Sequence, residues 1–410
     1  MDESNLEDGI AINPRVEASP RYEQTRRLLG QGLPPEVDSI LREFINEGLD
    51  VFDTPYTHQL NGLVEFFVNR KDLVVMTGTG SGKTEIFLWS ILGHLAKEAS
   101  RGSTTAMRGI RTMLLYPMNA LVSDQLGRIR RLVGRTNQNG RSGSEILSQH
   151  FERTPQFMQY TSRAPYHGSY NQTKNENRLR PIFETWTNLQ NAPVGSNERN
   201  LFEQLQRKGR VPEKDLQGFI TANYVTSQGD PELFARHEAR DAISVDGGVP
   251  DILVTNYAML EFMLLRPIED PFWEQTRNWL NEPESELLLV LDEAHLYRGA
   301  VGAEVAMLLR RFMLRLGIDN TNREKVRFIL TSASFSSPTA ACQFASELTG
   351  KPVSSFEAIQ PTSAAQFPQL NGTVDDDDVR ILSQIEPVPS FSDVHLQSWF
   401  GHRGWNPPAA

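Results

Sequence analysis

Lys83 and Thr84 end the run Thr77-Gly78-Thr79-Gly80-Ser81-Gly82-Lys83-Thr84, and far downstream the chain reads Asp292-Glu293-Ala294-His295. Glycines, lacking a Cβ, let a backbone wrap close to phosphate and turn successive N–H groups inward. The lysine would reach β- and γ-phosphates, and the Thr84 hydroxyl would meet Mg²⁺. Asp292 would hold the same ion, directly or through water, and Glu293 would polarise an attacking water. Together the segments imply binding and cleavage of a nucleoside triphosphate. Lys83, Asp292 and Glu293 are the candidate catalytic residues, Gly78 to Thr84 the phosphate cradle, and Thr84 with Asp292 the candidate metal ligands. Taken singly, the first run could be a turn before a helix and the second a solvated helix cap; their conjunction argues against both.

Such groups need a frame that brings distant segments together. The loop follows the apolar run Asp72 to Met76, of strand length, and precedes a helix-forming stretch from Glu85 to Ala96. Strand, glycine loop, helix is the order that aims backbone N–H groups and a helix dipole at phosphate. Leu287 to Leu291 reads as a strand buried on both faces, with the acidic pair at its C-terminal end, where open α/β sheets place ligands. The expected fold is α/β, a P-loop NTPase domain with a mostly parallel sheet and helices on both faces. N-terminal helices and an irregular insertion are expected beside it.

Further phrases carry a family resemblance. Tyr116-Pro117-Met118-Asn119-Ala120-Leu121-Val122-Ser123-Asp124-Gln125 follows the strand-like Thr112 to Leu115, Thr255-Asn256 follows Ile252 to Val254, and Thr331-Ser332-Ala333-Ser334 follows Val326 to Leu330. With the two segments above, these resemble the first RecA-like motor domain of superfamily-two DEAH/DEAD-type helicases, over about residues 50 to 350. Helicase loops relax the first glycine of the pattern, where this chain has Thr77, and the family usually has threonine where Ser334 stands. The resemblance implies ATP and Mg²⁺ as cofactors, with Gln59 of Tyr56-Thr57-His58-Gln59 near the adenine. It implies that Pro117, Asn119, Gln125, Thr255 and Asn256 hold one nucleic-acid strand. His295, Thr331, Ser332 and Ser334 would couple hydrolysis to that strand. Finer wording, including Tyr-Pro-Met-Asn-Ala-Leu and Asp-Glu-Ala-His-Leu-Tyr-Arg-Gly-Ala-Val-Gly, is similar to large bacterial helicases with a C-terminal zinc-binding domain. These include the Hrq/Mrf-type repair helicases and those of Druantia and DISARM phage-defence systems, of which the defence group is favoured. DNA is the expected partner, with RNA left open; defence-system proteins are further candidate partners. A nucleotide-dependent switch or scaffold, and a passive DNA-binding module, are the readings from other classes.

Composition bounds these expectations. A 410-residue chain with 39% apolar residues can bury a large core or two modest ones. Its polar, acidic start carries no secretory pattern, its longest apolar helix candidate is too short for a bilayer, and a cytoplasmic, membrane-free protein is expected. One cysteine, Cys342, leaves no disulfide framework and no Cys-rich zinc site within the chain. Net charge is −10, yet the window from Arg101 to Arg141 holds eight arginines, no lysine and one acid, Asp124. Arg128, Arg130, Arg131 and Arg135 could extend a phosphate-binding surface, with Arg128 the candidate contact; the alternative is a solvated helix face.

Around the motifs the pattern is less informative. Val37, Ile40, Leu41, Phe44 and Ile45 fall on one helix face before Gly48, so residues 1–50 are expected to be a helical extension with a disordered start. Residues 51–350 would be the motor domain, and 126–251 an insertion containing one strand over Gln156 to Thr161. Tyr160, Tyr166 and Tyr170 could stack bases, though half-buried packing is the commoner role; Arg236 and His237 read most simply as a salt-bridged helix surface. After a helix over Ala340 to Leu348, residues 351–410 are expected to be linker or tail. No Gln-x-x-Gly-Arg-x-Gly-Arg segment marks a second motor domain there, so that domain would come from another chain or a longer natural protein. Hydrolysis by the 410 residues alone is expected to be weak.

Overall fold

Strands that read Leu-Leu-Leu-Val-Leu or Asp-Leu-Val-Val-Met have no polar face to give to water, so both faces must be covered. The computed structural model describes residues 22–362, apart from 79, 103, 135–140, 227–228, 241–247 and 333–334. Among the described residues eight strands form one sheet: β1 Asp72–Met76, β2 Thr112–Tyr116, β3 Phe157–Gln159, β4 Glu232–Leu233, β5 Ile252–Asn256, β6 Leu287–Leu291, β7 Val326–Ser332 and β8 Phe356–Ile359. Their order is β4-β3-β5-β2-β6-β7-β1-β8, and every pairing is parallel.

Alternation along each strand divides the interior into two cores. Leu73, Val75, Leu114, Tyr116, Leu288, Val290 and Ile329 face one layer, with helices Pro35–Asn46, Thr57–Phe67 and Lys83–Ala99. Val74, Met113, Leu115, Leu289, Leu291, Phe328 and Leu330 face the other, with helices Tyr257–Leu265, Asp270–Leu280, Gly299–Arg315 and Pro338–Thr349. Charged side chains anchor the N-terminal strand ends. Arg111, fully buried, bonds Glu98 and lies 3.2 Å from Asp251, while Asp72 pairs with Arg327 at 2.9 Å and Lys351 at 2.5 Å.

Three expected boundaries shift. Helix Pro35–Asn46 forms where periodicity placed it, and its buried Val37, Ile40, Leu41 and Phe44 join the core beneath helix Lys83–Ala99. Residues 22–50 therefore belong to the same unit as the sheet. The stretch expected as an insertion adds β3 and β4 to the sheet edge and a satellite of helices, Gln172–Gln190, Asn197–Arg207 and Leu216–Thr221, with its own core around Phe183, Phe202 and Phe219. The expected tail begins too early, because β8 pairs with β1 from Asp72↔Phe356 to Val75↔Ile359. Four residues with two buried ends are too short to stand out beside prolines. The expectations for residues 1–20 and for the acidic run Asp375 to Asp378 lie outside the described residues.

Candidate active site

The glycine loop leaves the C-terminal end of β1 and enters helix Lys83–Ala99 through Gly82, at φ 77° and ψ 27°. A Cβ there would lie 2.1 Å from Gln59 Nε2, so both conformation and space call for glycine. Gln59 Nε2 donates to the Gly82 carbonyl at 2.9 Å, its Oε1 accepts from Tyr56 N at 2.9 Å, and His58 Nε2 lies 2.9 Å from the Ser81 carbonyl. Ser81 Oγ closes the loop onto Gly78 O at 2.7 Å. Gln59 thus braces the loop with both ends of its amide, a use that proximity to adenine alone does not suggest. Thr79 lies outside the described residues.

β6 delivers the acids. Glu293 adopts φ 51° and ψ 43°, a left-handed conformation that costs a non-glycine residue of order 1 kcal/mol or more. Its N–H is held there by Asp292 Oδ1 at 3.0 Å and Thr331 Oγ1 at 3.3 Å, while Thr331 Oγ1 donates to Asp292 Oδ1. Glu293 Oε1 takes a short ion pair from Lys83 Nζ, and His295 Nδ1 lies 3.3 Å from Glu293 Oε2. Burial raises the Asp292 carboxyl above its ordinary value, opposed by the Thr331 hydroxyl and the Lys83 charge. Burial and the Asp292 charge likewise raise the Tyr116 and Tyr297 phenols, whose hydroxyls have no hydrogen-bond partner among the described residues.

In the sheet β7 lies between β6 and β1, so Thr331 sits at the strand end separating acids from loop. Ser332 is buried opposite Met76 of β1; Ser334 lies outside the described residues. A cleft of 660 Å³ is lined by Gly80, Gly82, Lys83, Thr84, Asp292 and Glu293 together with Tyr56 and Phe52. The two aromatics had no signal of their own, although Tyr56 is adjacent to a motif. The cleft fits a triphosphate with its metal. The Glu293 carboxylate stands in for an anion on Lys83, and a buried Asp292 whose ionised form is disfavoured by burial is a group that a cation would relieve.

Residues expected to hold nucleic acid divide into two sets. Asn119 Oδ1 accepts from Asn256 Nδ2 at 2.6 Å, Asn119 Nδ2 lies 3.2 Å from Ser162 Oγ, and half-buried Pro117 adjoins them in sequence, so β2, β5 and the end of β3 share one polar seam. Asn256 also caps helix Tyr257–Leu265 through Met259 N at 2.8 Å. Thr255 is a correction: its buried hydroxyl is spent on the Tyr160 carbonyl at 2.7 Å, so it positions β3 and offers nothing to a strand. Gln125 and Arg128 line the same cleft as Lys83 and Glu293, with Arg128 bound to Glu85 at 3.1 Å.

The arginine window is a second correction. Arg130 is buried against Glu232 and Arg131 pairs with Asp50, so internal carboxylates neutralise charges that sequence left unassigned; Arg135 lies outside the described residues. Tyr160 and Tyr166 are buried, with Tyr160 donating to Glu269 at 2.7 Å, which removes them as base-stacking platforms. Arg236 and His237 are also buried rather than on a helix surface.

Residues 57–175 match the model of the DEAD/DEAH box helicase family. The Druantia protein DruE of Escherichia coli (strain UMEA 4076-1) is 40% identical over 394 residues, covering 89% of this chain and 20% of that protein. The uncharacterized ATP-dependent helicase MJ1574 of Methanocaldococcus jannaschii is 35% identical over 82 residues, covering 20% of this chain and 10% of that protein. The chain thus spans a minor part of both curated relatives. Among solved structures, the DUF1998 helicase MrfA bound to DNA and AMPPNP aligns with a TM-score of 0.42 at 16% identity, covering 84% of this chain and 31% of that one.

Proposed function

The chain carries a DEAD/DEAH box helicase domain, and from that premise we propose that it is the ATP-binding half of a DNA-directed translocase acting in bacterial anti-phage defence, in the cytoplasm. The observation that carries the motor reading is the Lys83–Glu293 ion pair, which joins the glycine loop to the acidic strand end inside one cleft. Bound ATP–Mg²⁺ would supply the transferable phosphoryl group and the charge that holds it. With it bound, Lys83 would leave Glu293 for phosphate, Thr84 and Asp292 would be the residues that hold the metal, and the Glu293 carboxylate would be free to orient water. His295 lies beside that carboxylate and can follow its movement. Thr331 touches both acids from β7, so a change at Asp292 reaches the strand end next to β1. The seam of Asn119 and Asn256 would hold one strand, and a second motor domain, from a longer chain or another polypeptide, would move along it. Likeness to a Druantia protein supports the defence assignment over repair.

Lys83→Ala should abolish ATP binding, and Glu293→Gln should bind ATP yet not hydrolyse it once the second motor domain is supplied. Full turnover by either variant would overturn the motor assignment. ATP binding with no response to DNA in the reconstituted system would favour a nucleotide switch.

A further inference from the structure

Arg236 is 4% exposed and has no carboxylate partner among the described residues. Its terminal nitrogen donates to the Thr161 carbonyl at 2.6 Å, its guanidinium lies 4.6 Å over the Tyr160 ring, and its Nε has no partner among the described residues. The nearby Glu269 accepts from Tyr160, is paired by Arg266 and lies 4.0 Å from Arg240. One carboxylate is therefore shared by two guanidiniums, and Arg236 has no ion pair with it. A buried cation left in that state is costly unless an anion arrives. Arg163, two residues beyond the Thr161 that Arg236 binds, and Arg178 are exposed with no side-chain partner among the described residues, and Arg266 is partly exposed. Exposed His167 registers the same excess, its basicity lowered by partial burial and by the charges of Arg236, Arg178, Arg240 and Arg266.

The position of this excess matters as much as its sign. Thr161, which receives Arg236, is followed by Ser162, which meets Asn119 of the polar seam. The seam and the cationic surface are continuous at the C-terminal end of β3.

We propose that Arg163, Arg178 and Arg266, with the buried Arg236 that holds Thr161, form a phosphate-binding surface that takes a single DNA strand where it leaves the Asn119–Asn256 seam. The surface is supplied by the segment between β2 and β5 and by Arg266. It replaces Arg128, Arg130 and Arg131, which are paired with Glu85, Glu232 and Asp50. The inference rests on the nucleic-acid reading above and adds the surface that grips beyond the seam.

The test is Arg163→Gln with Arg178→Gln in the 410-residue chain, measured by fluorescence anisotropy with a labelled oligodeoxythymidylate of about 20 nucleotides across a salt series. Each arginine that no longer neutralises a phosphate should flatten the log–log salt dependence by about 0.7, so the double variant should flatten it by about 1.4. With the two curves converging near ~1 M salt, binding at ~0.1 M should weaken about 25-fold. Binding of an ATP analogue and the melting temperature should not move. Unchanged slope and affinity, with the unaltered chain binding the oligonucleotide, would overturn the surface alone. No binding by the unaltered chain at any salt would overturn the nucleic-acid reading beneath it.

Discussion

Thr331→Val removes one oxygen from between the two acids and keeps the β-branched shape that suits a strand. Thr331 is fully buried and Asp292 is 3% exposed, so the bond between them is little screened by water. The Glu293 N–H keeps its other acceptor, Asp292 Oδ1 at 3.0 Å, so the loss is close to one hydrogen bond to a charged group. That is worth about 1.5–3 kcal/mol of folding stability, or roughly 10- to 150-fold in the folding equilibrium. The folded Asp292 carboxyl already lies above its ordinary value of 3.8, because of burial, and loss of the hydroxyl raises it further. A raised acid binds its proton more tightly folded than unfolded, so its ionisation costs stability as pH rises through the folded value. The penalty of Thr331→Val should therefore be complete above the variant's still higher folded value and fade as pH falls below it toward 3.8. Urea unfolding followed by tryptophan fluorescence at about pH 7 and about pH 4 measures both ends of the range. Thr331→Ser should behave as the parent. An equal loss at both pH values would refute action through the ionised carboxylate.

Gly82→Ala should weaken ATP-analogue binding and lower the melting temperature, because the new methyl meets Gln59 at 2.1 Å and sits at φ 77°; isothermal titration and calorimetry read the two effects, and parent-like values would show that the loop rearranges freely. Arg128→Ala should weaken ATP-analogue binding while leaving oligonucleotide affinity nearly unchanged, since the guanidinium lines the nucleotide cleft; the reverse pattern would return Arg128 to the strand site. Arg111→Met should cost about 3–5 kcal/mol, because it leaves Glu98 short of a buried partner and weakens the clamp on Asp251; a denaturation midpoint within error of the parent would contradict the network.

Much of the frame was legible because its signals are local. Apolar runs gave β1, β2, β5, β6 and β7, and the glycine run gave the entry to helix Lys83–Ala99. Two-residue β4 and four-residue β8 were not legible, since such short edge strands are recognisable only by the neighbour that pairs with them. Arginines misled for a related reason. Their charge is visible in sequence, but whether it faces solvent depends on carboxylates such as Glu232, 102 residues away, and Asp50, 81 residues away.

Sequence by itself determined which residues could handle a phosphate, since backbone freedom at glycine, a lysine after it and an acidic strand end are properties of local chain. Tertiary structure alone decided that Lys83 meets Glu293, that Thr331 stands between the acids and the loop, and that Arg236 lies buried without a carboxylate among the described residues. Those relations arise from strand order and packing, and distance along the chain carries no record of either.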